Sequence, residues 1–321
     1  MYFSVIIPVY NRPEELKELL LSLCEQSNED FEVIIVEDGS TLKSENLVKG
    51  FKQQLNIHYY YQENTGQGFA RNFGMQKAGG EYWVFFDSDC VIPQDYFSIL
   101  YKAVKKRGLD AHGGPDAAMG DFSDFQKAIN FSMTSLWTTG GIRGKVADPK
   151  KYQARGYNMG FSKKVYDRLG GFIDPNQGED IELSIRIKNA GFNLQLVQEA
   201  FVYHKRRNDF MSFLKQSFSF GMNRVNVNRY HPGSIKAVHL MPSIFLIGAV
   251  LILLSPFISL SVFLVGAFFY GLWSLGVFLD ASISNQSLKV GMMALFSSYG
   301  QLFAYGAGMI KALIFIKRDK N

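Results

Sequence analysis

Residues 81–93 have the sequence EYWVFFDSDCVIP. Residues 82–86 are aromatic or β-branched, a composition that predicts a buried strand. The strand pattern ends in two acids, Asp87 and Asp89. Neighbouring carboxylates repel each other, so a cation between them would favour their ionised forms. A D-x-D pattern taken alone is also explained by a solvated turn in which one acid caps the helix after Pro93.

Strand and helix patterns alternate through the first half of the chain. Three further strands are predicted at Phe3–Val9, Phe31–Asp38 and Ile57–Gln62, with amphipathic helix patterns between them. This alternation predicts an α/β fold, a doubly wound and mostly parallel Rossmann-like sheet with helices on both faces. Ligands bind at the carboxyl ends of such strands, so Asp38 would face the same crevice as the D-x-D acids.

Later segments of the chain continue the same types of pattern. Residues 192–204 predict one further strand that ends at His204, and a helix capped by Asn208 or Asp209 follows it. Two isolated cysteines, Cys24 and Cys90, predict reduced thiols rather than a disulfide framework.

The C-terminal third has the composition of a membrane region. Residues 240–279 form an uncharged run of 40, and residues 290–310 form another of 21. A helix needs about 20 apolar residues to cross a bilayer. We therefore predict two or three transmembrane helices within 239–316, followed by a basic tail, 317–321. Ser255-Pro256 predicts a kink or a hairpin turn in the first run.

The net charge of +5 is concentrated before this membrane region. Residues 203–239 contain seven Lys or Arg and one acid, a local charge of +6. Such a segment fits anionic headgroups or a diphosphate, so 208–238 is predicted to be a basic amphipathic interfacial segment. No basic stripe or recognition motif elsewhere favours a nucleic-acid partner. Because no signal peptide precedes the first strand, a domain at 1–207 is expected to stay in the cytosol.

Four further motifs carry polar groups at predicted strand or helix ends. Each has an ordinary explanation, since turns favour polar residues and carboxylates favour helix N-termini. The glycine-rich motif NTGQGFARNFG is not a Walker loop, although its arginine, at the entry of a predicted helix, suits a phosphate or ribose. The motifs are IIPVYNR (Pro8, Tyr10, Arg12), VEDGS (Glu37, Asp38), NTGQGFARNFG (Arg71) and GEDIELSIR (Glu179, Asp180).

In this order and spacing the motifs resemble the inverting glycosyltransferases of family 2, which have the GT-A fold. The resemblance covers roughly residues 3–230, and the stretch that follows resembles membrane-attached bacterial members. It implies a transferase that moves a sugar from a nucleotide donor, expected to be UDP-linked, with Mn²⁺ or Mg²⁺ as cofactor. The expected acceptor is a lipid-linked or cell-envelope glycan, and the expected location is the bacterial inner membrane with the catalytic domain facing the cytosol.

The resemblance also implies a role for each motif residue. Those assigned to the nucleotide pocket are Pro8, Tyr10, Arg12, Glu37, Asp38 and Arg71. Asp87 and Asp89 would bracket the donor and hold the metal, with Asp89 the expected direct ligand. Asp180 would be the general base, with Glu179 as its neighbour.

The end of the last predicted strand has two interpretations. A histidine at a comparable place completes the metal site in some GT-A enzymes, which would make His204 a ligand. The alternative is a histidine at the edge of the core. The basic residues that follow, including Arg206, would bind donor diphosphate, acceptor phosphate or lipid headgroups.

Processive members such as cellulose and hyaluronan synthases carry Gln-x-x-Arg-Trp near the end of the catalytic domain. Here Gln216 is followed by Ser217 and Phe218, without Arg-Trp. This departure favours a non-processive enzyme over a processive polysaccharide synthase. A catalytically silent sugar-nucleotide-binding scaffold is the third hypothesis, and the intact acids argue against it. The sequence carries no signal for the sugar, the linkage or the oligomeric state.

Overall fold

The structure, a computed structural model, describes residues 2–117, 122–140, 152–205 and 209–315. These residues divide into two compact units. The first contains 2–117 and 152–205, and the second contains 122–140 and 209–315. The predicted catalytic domain, 1–207, is contiguous, whereas residues 122–140 group with the C-terminal helices. The boundary at 207 stays a prediction.

The elements follow the predicted alternation through the first half of the chain. The strands are β1 (Phe3–Val9), β2 (Phe31–Asp38), β3 (Ile57–Gln62), β4 (Tyr82–Phe86), β5 (Cys90–Val91), β6 (Ala111–Gly113), β7 (Asp116–Ala117), β8 (Asn158–Ser162), β9 (Leu194–Leu196) and β10 (Val202–His204). The helices are α1 (Pro13–Cys24), α2 (Glu45–Lys49), α3 (Gln67–Lys77), α4 (Tyr96–Arg107), α5 (Asp124–Thr134), α6 (Leu136–Thr139), α7 (Lys163–Leu169), α8 (Glu179–Asn189), α9 (Phe210–Tyr230), α10 (Ala237–Leu254), α11 (Leu260–Ser284) and α12 (Leu288–Phe315).

The first unit is built on two sheets. The larger has the order β3-β2-β1-β4-β8-β6-β9, in which β1 to β4 are parallel and β8 is antiparallel to both of its neighbours. The smaller has the order β5-β10-β7. The predicted doubly wound, mostly parallel α/β architecture is therefore confirmed.

The prediction of one strand over 192–204 is wrong. This segment forms β9 in the large sheet and β10 in the small sheet, separated by a turn at residues 197–201. Both halves are apolar and β-prone, so composition alone did not reveal the change of sheet.

Alternating side chains of the central strands form cores on both faces of the large sheet. Val5 and Ile7 of β1 pack with Leu16 and Leu19 of α1 on one face. Ile6 belongs to a separate cluster on the other face. The strand period of two explains this division, and a strand buried on both faces reads as a continuous apolar run.

The second unit is a bundle of helices packed around α12, which contacts α5, α9, α10 and α11. Two glycines allow close approach of the backbones of α9 and α12. A Cβ at Gly221 would lie 2.1 Å from the carbonyl oxygen of Tyr305, and one at Gly308 would lie 2.1 Å from that of Phe218. The predicted basic interfacial segment therefore contains a helix, capped by the side chain of Asp209, that packs along α12.

Within the described ranges, two helical segments are long and apolar enough to cross a membrane, Ala237–Phe257 and Leu260–Ser284. A 3-10 turn at Ser255–Phe257 ends the first, so the predicted break at Ser255-Pro256 is present. The other uncharged run lies in α12, whose buried residues include Ser297 and Ser298. The number of spans that enter a bilayer stays a prediction.

Candidate active site

The turn after β1 is fixed to the turn after β2 through Asn11. This residue has a left-handed backbone with φ 53, a conformation that asparagine tolerates better than most residues. Its side-chain oxygen accepts hydrogen bonds from the backbone nitrogens of Thr41 (2.8 Å) and Leu42 (3.0 Å). The turn leaves the preceding Tyr10 51% exposed, whereas Pro8 is buried in β1. An exposed aromatic ring at a strand end is available for stacking on a base.

The two acids that end β2 support the loops around them. The buried Glu37 carboxylate accepts hydrogen bonds from the Ser40 hydroxyl and from the backbone nitrogen of Ser44, the latter at 2.7 Å. Asp38 accepts from the backbone nitrogens of Thr65 (3.0 Å) and Gly66 (2.7 Å). Both acids thus shape the crevice through backbone contacts, and their predicted contact with the nucleotide stays a prediction.

Arg71 forms the buried centre of the site. Its side chain is 1% exposed. Nη2 donates to Asp87 Oδ1 at 2.5 Å, and Nη1 donates to Glu179 Oε1 at 3.2 Å. A Cβ at Gly156 would lie 2.9 Å from Nη1 and Nη2, so this glycine gives the guanidinium its space. The predicted donor-binding arginine therefore joins the acid after β4 to the acid that begins α8.

Glu179 and Asp180 occupy different environments at the start of α8. Burial, followed by the charge of Asp180, raises the pKa of the Glu179 carboxyl above its ordinary value, while Arg71 opposes that rise. The Asp180 carboxylate is partly exposed and accepts hydrogen bonds from the backbone nitrogens of Ile181 (2.7 Å) and Gly156 (3.3 Å). An ionised carboxylate held by backbone donors at a helix N-terminus can accept a proton from a substrate hydroxyl.

Asp89 lies between Arg12 and His204. Its carboxylate pairs with the Arg12 guanidinium, and Oδ1 lies 3.1 Å from His204 Nε2. Burial alone would raise the pKa of Asp89, but the hydrogen bonds and charges of His204 and Arg12 hold it well below its usual range. The structure thus brings the predicted metal ligands Asp89 and His204 together. Arg206 lies outside the described residues.

The donor set fits a divalent cation. Ligand atoms of Asp89, Cys90 and His204 all lie within 4.8 Å of one another. Two neighbouring ligands of an octahedral ion, each about 2.1 Å from it, lie ~3.0 Å apart, close to the 3.1 Å between Asp89 Oδ1 and His204 Nε2. Burial raises the pKa of the Cys90 thiol well above its ordinary value. The thiol donates to the Tyr157 carbonyl (3.7 Å), and a carboxylate oxygen is a donor that suits Mn²⁺ or Mg²⁺.

Sequence reasoning missed several residues that complete the site. Asn11 and Gly156 have the roles given above. Asn176 joins the glycine-rich loop to the turn before α8, because its side chain donates to the Thr65 carbonyl (3.0 Å) and accepts from the Gly68 nitrogen (2.9 Å). The sequence does show asparagine and glycine in predicted turns, but these residues are so common in turns that they do not single out a functional position.

The sheet order and the acids at the carboxyl ends of its strands agree with the GT-A fold that the motif resemblance implies. Residues 4–170 match the family described as Glycosyl transferase family 2. This match covers just over half of the 321 residues. The chain belongs to glycosyltransferase family 2, and it is an enzyme of that class.

Named relatives agree with this assignment. Glycosyltransferase GlyA of Streptococcus pneumoniae is 36% identical over 126 residues, which is 39% of this chain and 17% of that protein. Chondroitin synthase of Escherichia coli is 28% identical over 235 residues, which is 63% of this chain and 34% of that protein. The chain spans less than a fifth of the length of several curated relatives that it matches.

A solved structure shares the fold over nearly the whole chain. The mannosyltransferase PcManGT from Pyrobaculum calidifontis, in complex with GDP-Man and Mn²⁺, superposes with a TM-score of 0.72. The match covers 97% of this chain and 86% of that chain at 17% identity. At that identity the likeness establishes the fold.

Proposed function

We propose that this chain is an inverting, metal-dependent, non-processive glycosyltransferase. It transfers a sugar from a nucleoside diphosphate donor, expected to be UDP-linked, to a lipid-linked or cell-envelope glycan acceptor. The observation that carries the proposal is the Arg71 bridge between Asp87 and Glu179. This bridge joins the strand end that leads to Asp89 to the helix that begins with Glu179 and Asp180.

Asp87, Asp89 and His204 are the proposed metal residues, with Asp89 the expected direct ligand. Asp89 and His204 lie in one cluster, whereas Asp87 pairs with Arg71 and is also proposed to face the donor. The Mn²⁺ in the mannosyltransferase structure supports the choice of metal. When bound, the ion offsets negative charge on the departing diphosphate. Arg12, which pairs with Asp89, supplies a second cation beside the same carboxylate.

Asp180 is the proposed general base. It takes the proton from the acceptor hydroxyl while the acceptor oxygen bonds to the anomeric carbon and the bond to the diphosphate oxygen breaks. A single displacement of this kind inverts the anomeric centre and needs no nucleophilic side chain. General-base catalysis typically contributes about 10²–10⁴-fold to the rate.

The proposed membrane attachment rests on the two long apolar helical segments of the second unit. Ala237–Phe257 and Leu260–Ser284 are exposed over most of their surface. Phe257, which ends the first segment, and Ile258, which follows it, are each 89% exposed. Apolar surface of this extent is stable in hydrocarbon and costly in water. We place the enzyme at the bacterial inner membrane with its catalytic unit facing the cytosol, where nucleotide sugars and a lipid-linked acceptor meet.

A donor screen tests the proposed reaction. The full chain in detergent is incubated with Mn²⁺ or Mg²⁺ and a panel of UDP- and GDP-sugars, and the released nucleoside diphosphate is measured. The expected result is release from one donor, stimulated by a membrane lipid extract and lost in the Asp180→Asn variant. Lack of release from every donor, with and without the extract, would refute the proposed transfer.

A processive synthase is the second candidate, because chondroitin synthase is a relative over 63% of this chain. Product length separates the two reactions. Transfer of one sugar to each acceptor supports the non-processive enzyme, whereas long polymer from single binding events supports the processive one.

A further inference from the structure

The small sheet brings a second carboxylate to His204. Strand β10 pairs with β5 on one side, with His204 opposite Cys90, and with β7 on the other, with Val202 opposite Asp116. The imidazole is therefore held between the strand that follows Asp89 and the strand that begins with Asp116.

Each ring nitrogen of His204 faces a different carboxylate. Nε2 lies 3.1 Å from Asp89 Oδ1. Nδ1 is buried and lies 4.0 Å from Asp116 Oδ2, an ion-pair distance that is longer than a hydrogen bond. Tyr157 contacts both Asp116 and His204. Its hydroxyl donates to Asp116 Oδ1 at 3.1 Å, and its ring stacks on the imidazole with centroids 4.8 Å apart and an interplanar angle of 29°.

These groups are shielded from solvent. The His204 and Asp116 side chains are 16% and 17% exposed. Electrostatic attraction is stronger here than at an open surface, because the effective dielectric constant is lower. When a metal occupies the Nε2 side of the ring, a carboxylate on the Nδ1 side favours the tautomer that carries its proton on Nδ1, and that tautomer leaves the lone pair of Nε2 to the metal.

We propose that Asp116 and Tyr157 are positioning residues for the metal site, with no direct contact to the ion. Asp116 selects the tautomer of His204, and Tyr157 fixes both the plane of the ring and the Asp116 carboxylate. Metal-bound histidines almost always present their second nitrogen to a carboxylate, carbonyl or water, and loss of such a partner typically weakens metal binding about 10–100-fold. This inference rests on the metal site of the proposed function.

A purely structural role for Asp116 leads to different results. Tyr157 and Asp116 could serve only to fasten β7 beside β10. Their loss would then lower stability and leave the metal affinity of the folded protein unchanged. Metal affinity, measured separately from stability and from turnover, therefore distinguishes the two roles.

The test is a titration of Mn²⁺ alone into the full chain in detergent, followed by the electron paramagnetic resonance signal of free Mn²⁺. Asp116→Asn is expected to raise the Kd for Mn²⁺ about 10–100-fold. Tyr157→Phe keeps the stacked ring but removes the hydroxyl, so a smaller increase is expected. Glu199→Gln is the charge-matched control, because Glu199 is 60% exposed on the turn before β10 and pairs with Arg107.

A spectroscopic measurement and a thermal melt accompany the titration. Spin-echo modulation from an imidazole nitrogen bound to Mn²⁺ is expected in the wild type and weakened in Asp116→Asn. The melting temperature shows whether each variant is folded, and Tyr157→Phe supplies the comparison if Asp116→Asn is not. A Kd within twofold of the wild type in the folded positioning variants would overturn the inference.

The failure of the metal site itself has a different signature. If the wild type and Asp89→Ala bind Mn²⁺ equally, the metal site of the proposed function is wrong, and the positioning role fails with it. If Asp89→Ala abolishes binding while Asp116→Asn leaves it intact, the metal site stands and the positioning role alone is refuted.

Discussion

The Arg71 bridge makes a quantitative prediction about stability. The guanidinium is the cationic partner of Asp87 (2.5 Å) and Glu179 (3.2 Å), and its side chain is 1% exposed. Arg71→Met keeps much of the side-chain volume and removes the charge. The buried Glu179 and the partly exposed Asp87 then lack this counter-charge, and Asp180 adds further negative charge next to Glu179.

The size of the effect follows from the burial of the pair. Removing one partner of a buried ion pair typically costs about 3–5 kcal/mol. Glu179 can relieve part of this cost by binding a proton, because burial and Asp180 already raise its pKa. We therefore expect a loss of about 3 kcal/mol. At roughly 2–4 °C per kcal/mol for a unit of this size, the melting temperature falls by about 6–12 °C.

The assay is thermal unfolding of the full chain in detergent, followed by intrinsic fluorescence at pH 7.5. Lys163→Met is the matched control, since it removes a pair with Asp167 at 2.6 Å in which both side chains are more than half exposed. Exposed pairs contribute little, so a shift below about 2 °C is expected there. The double variant Arg71→Met/Glu179→Gln should recover about half of the loss. Equal shifts in Arg71→Met and Lys163→Met would refute the reasoning.

Three further predictions concern catalysis, pH and packing. Asp180→Asn should lower kcat about 10²–10⁴-fold with an unchanged Kd for the donor, measured by nucleotide release and calorimetry. Burial lowers the pKa of His112 from 6.5 to about 3. As the pH falls, this histidine therefore binds a proton in the unfolded chain before it does so in the folded protein, and the free energy of unfolding decreases between pH 6.5 and about 3. His112→Gln should flatten that part of the pH–stability curve. A Cβ at Gly221 would lie 2.1 Å from the Tyr305 carbonyl oxygen, so Gly221→Ala should lower the stability of the helical unit by about 1–3 kcal/mol in denaturant titrations.

The central strands could be predicted from the sequence because their signal is local. The structure has β1, β2 and β3 at the predicted bounds. Each is a short apolar, β-prone run between turn residues, and no long-range contact is needed to recognise it. The acids after β4 were also predictable, since strand ends in a parallel sheet meet at one edge.

The small sheet could not be predicted in the same way. Strands β5 and β7 have two residues each, and β10 has three. Segments this short have no measurable period, so their pairing depends on the tertiary fold. The sequence therefore did not predict that Asp116 and Tyr157 lie beside His204.

The sequence also did not predict which groups the charged side chains contact. A motif shows that Arg71 enters a helix, but burial decides whether the guanidinium faces a ligand or the protein. Here it bridges Asp87 and Glu179. Glu37 likewise accepts hydrogen bonds within its own loop.

The metal dependence of donor turnover distinguishes a metal-assisted transfer from a metal-independent one. Nucleoside diphosphate release is measured for the full chain after EDTA treatment and after addition of Mn²⁺, in the wild type and in Asp89→Ala. We predict that EDTA abolishes release, that Mn²⁺ restores it in the wild type, and that Asp89→Ala stays inactive at every Mn²⁺ concentration while remaining folded. Equal release with EDTA and with Mn²⁺ would show that transfer needs no metal, and full activity of Asp89→Ala would show that Asp89 does not hold one.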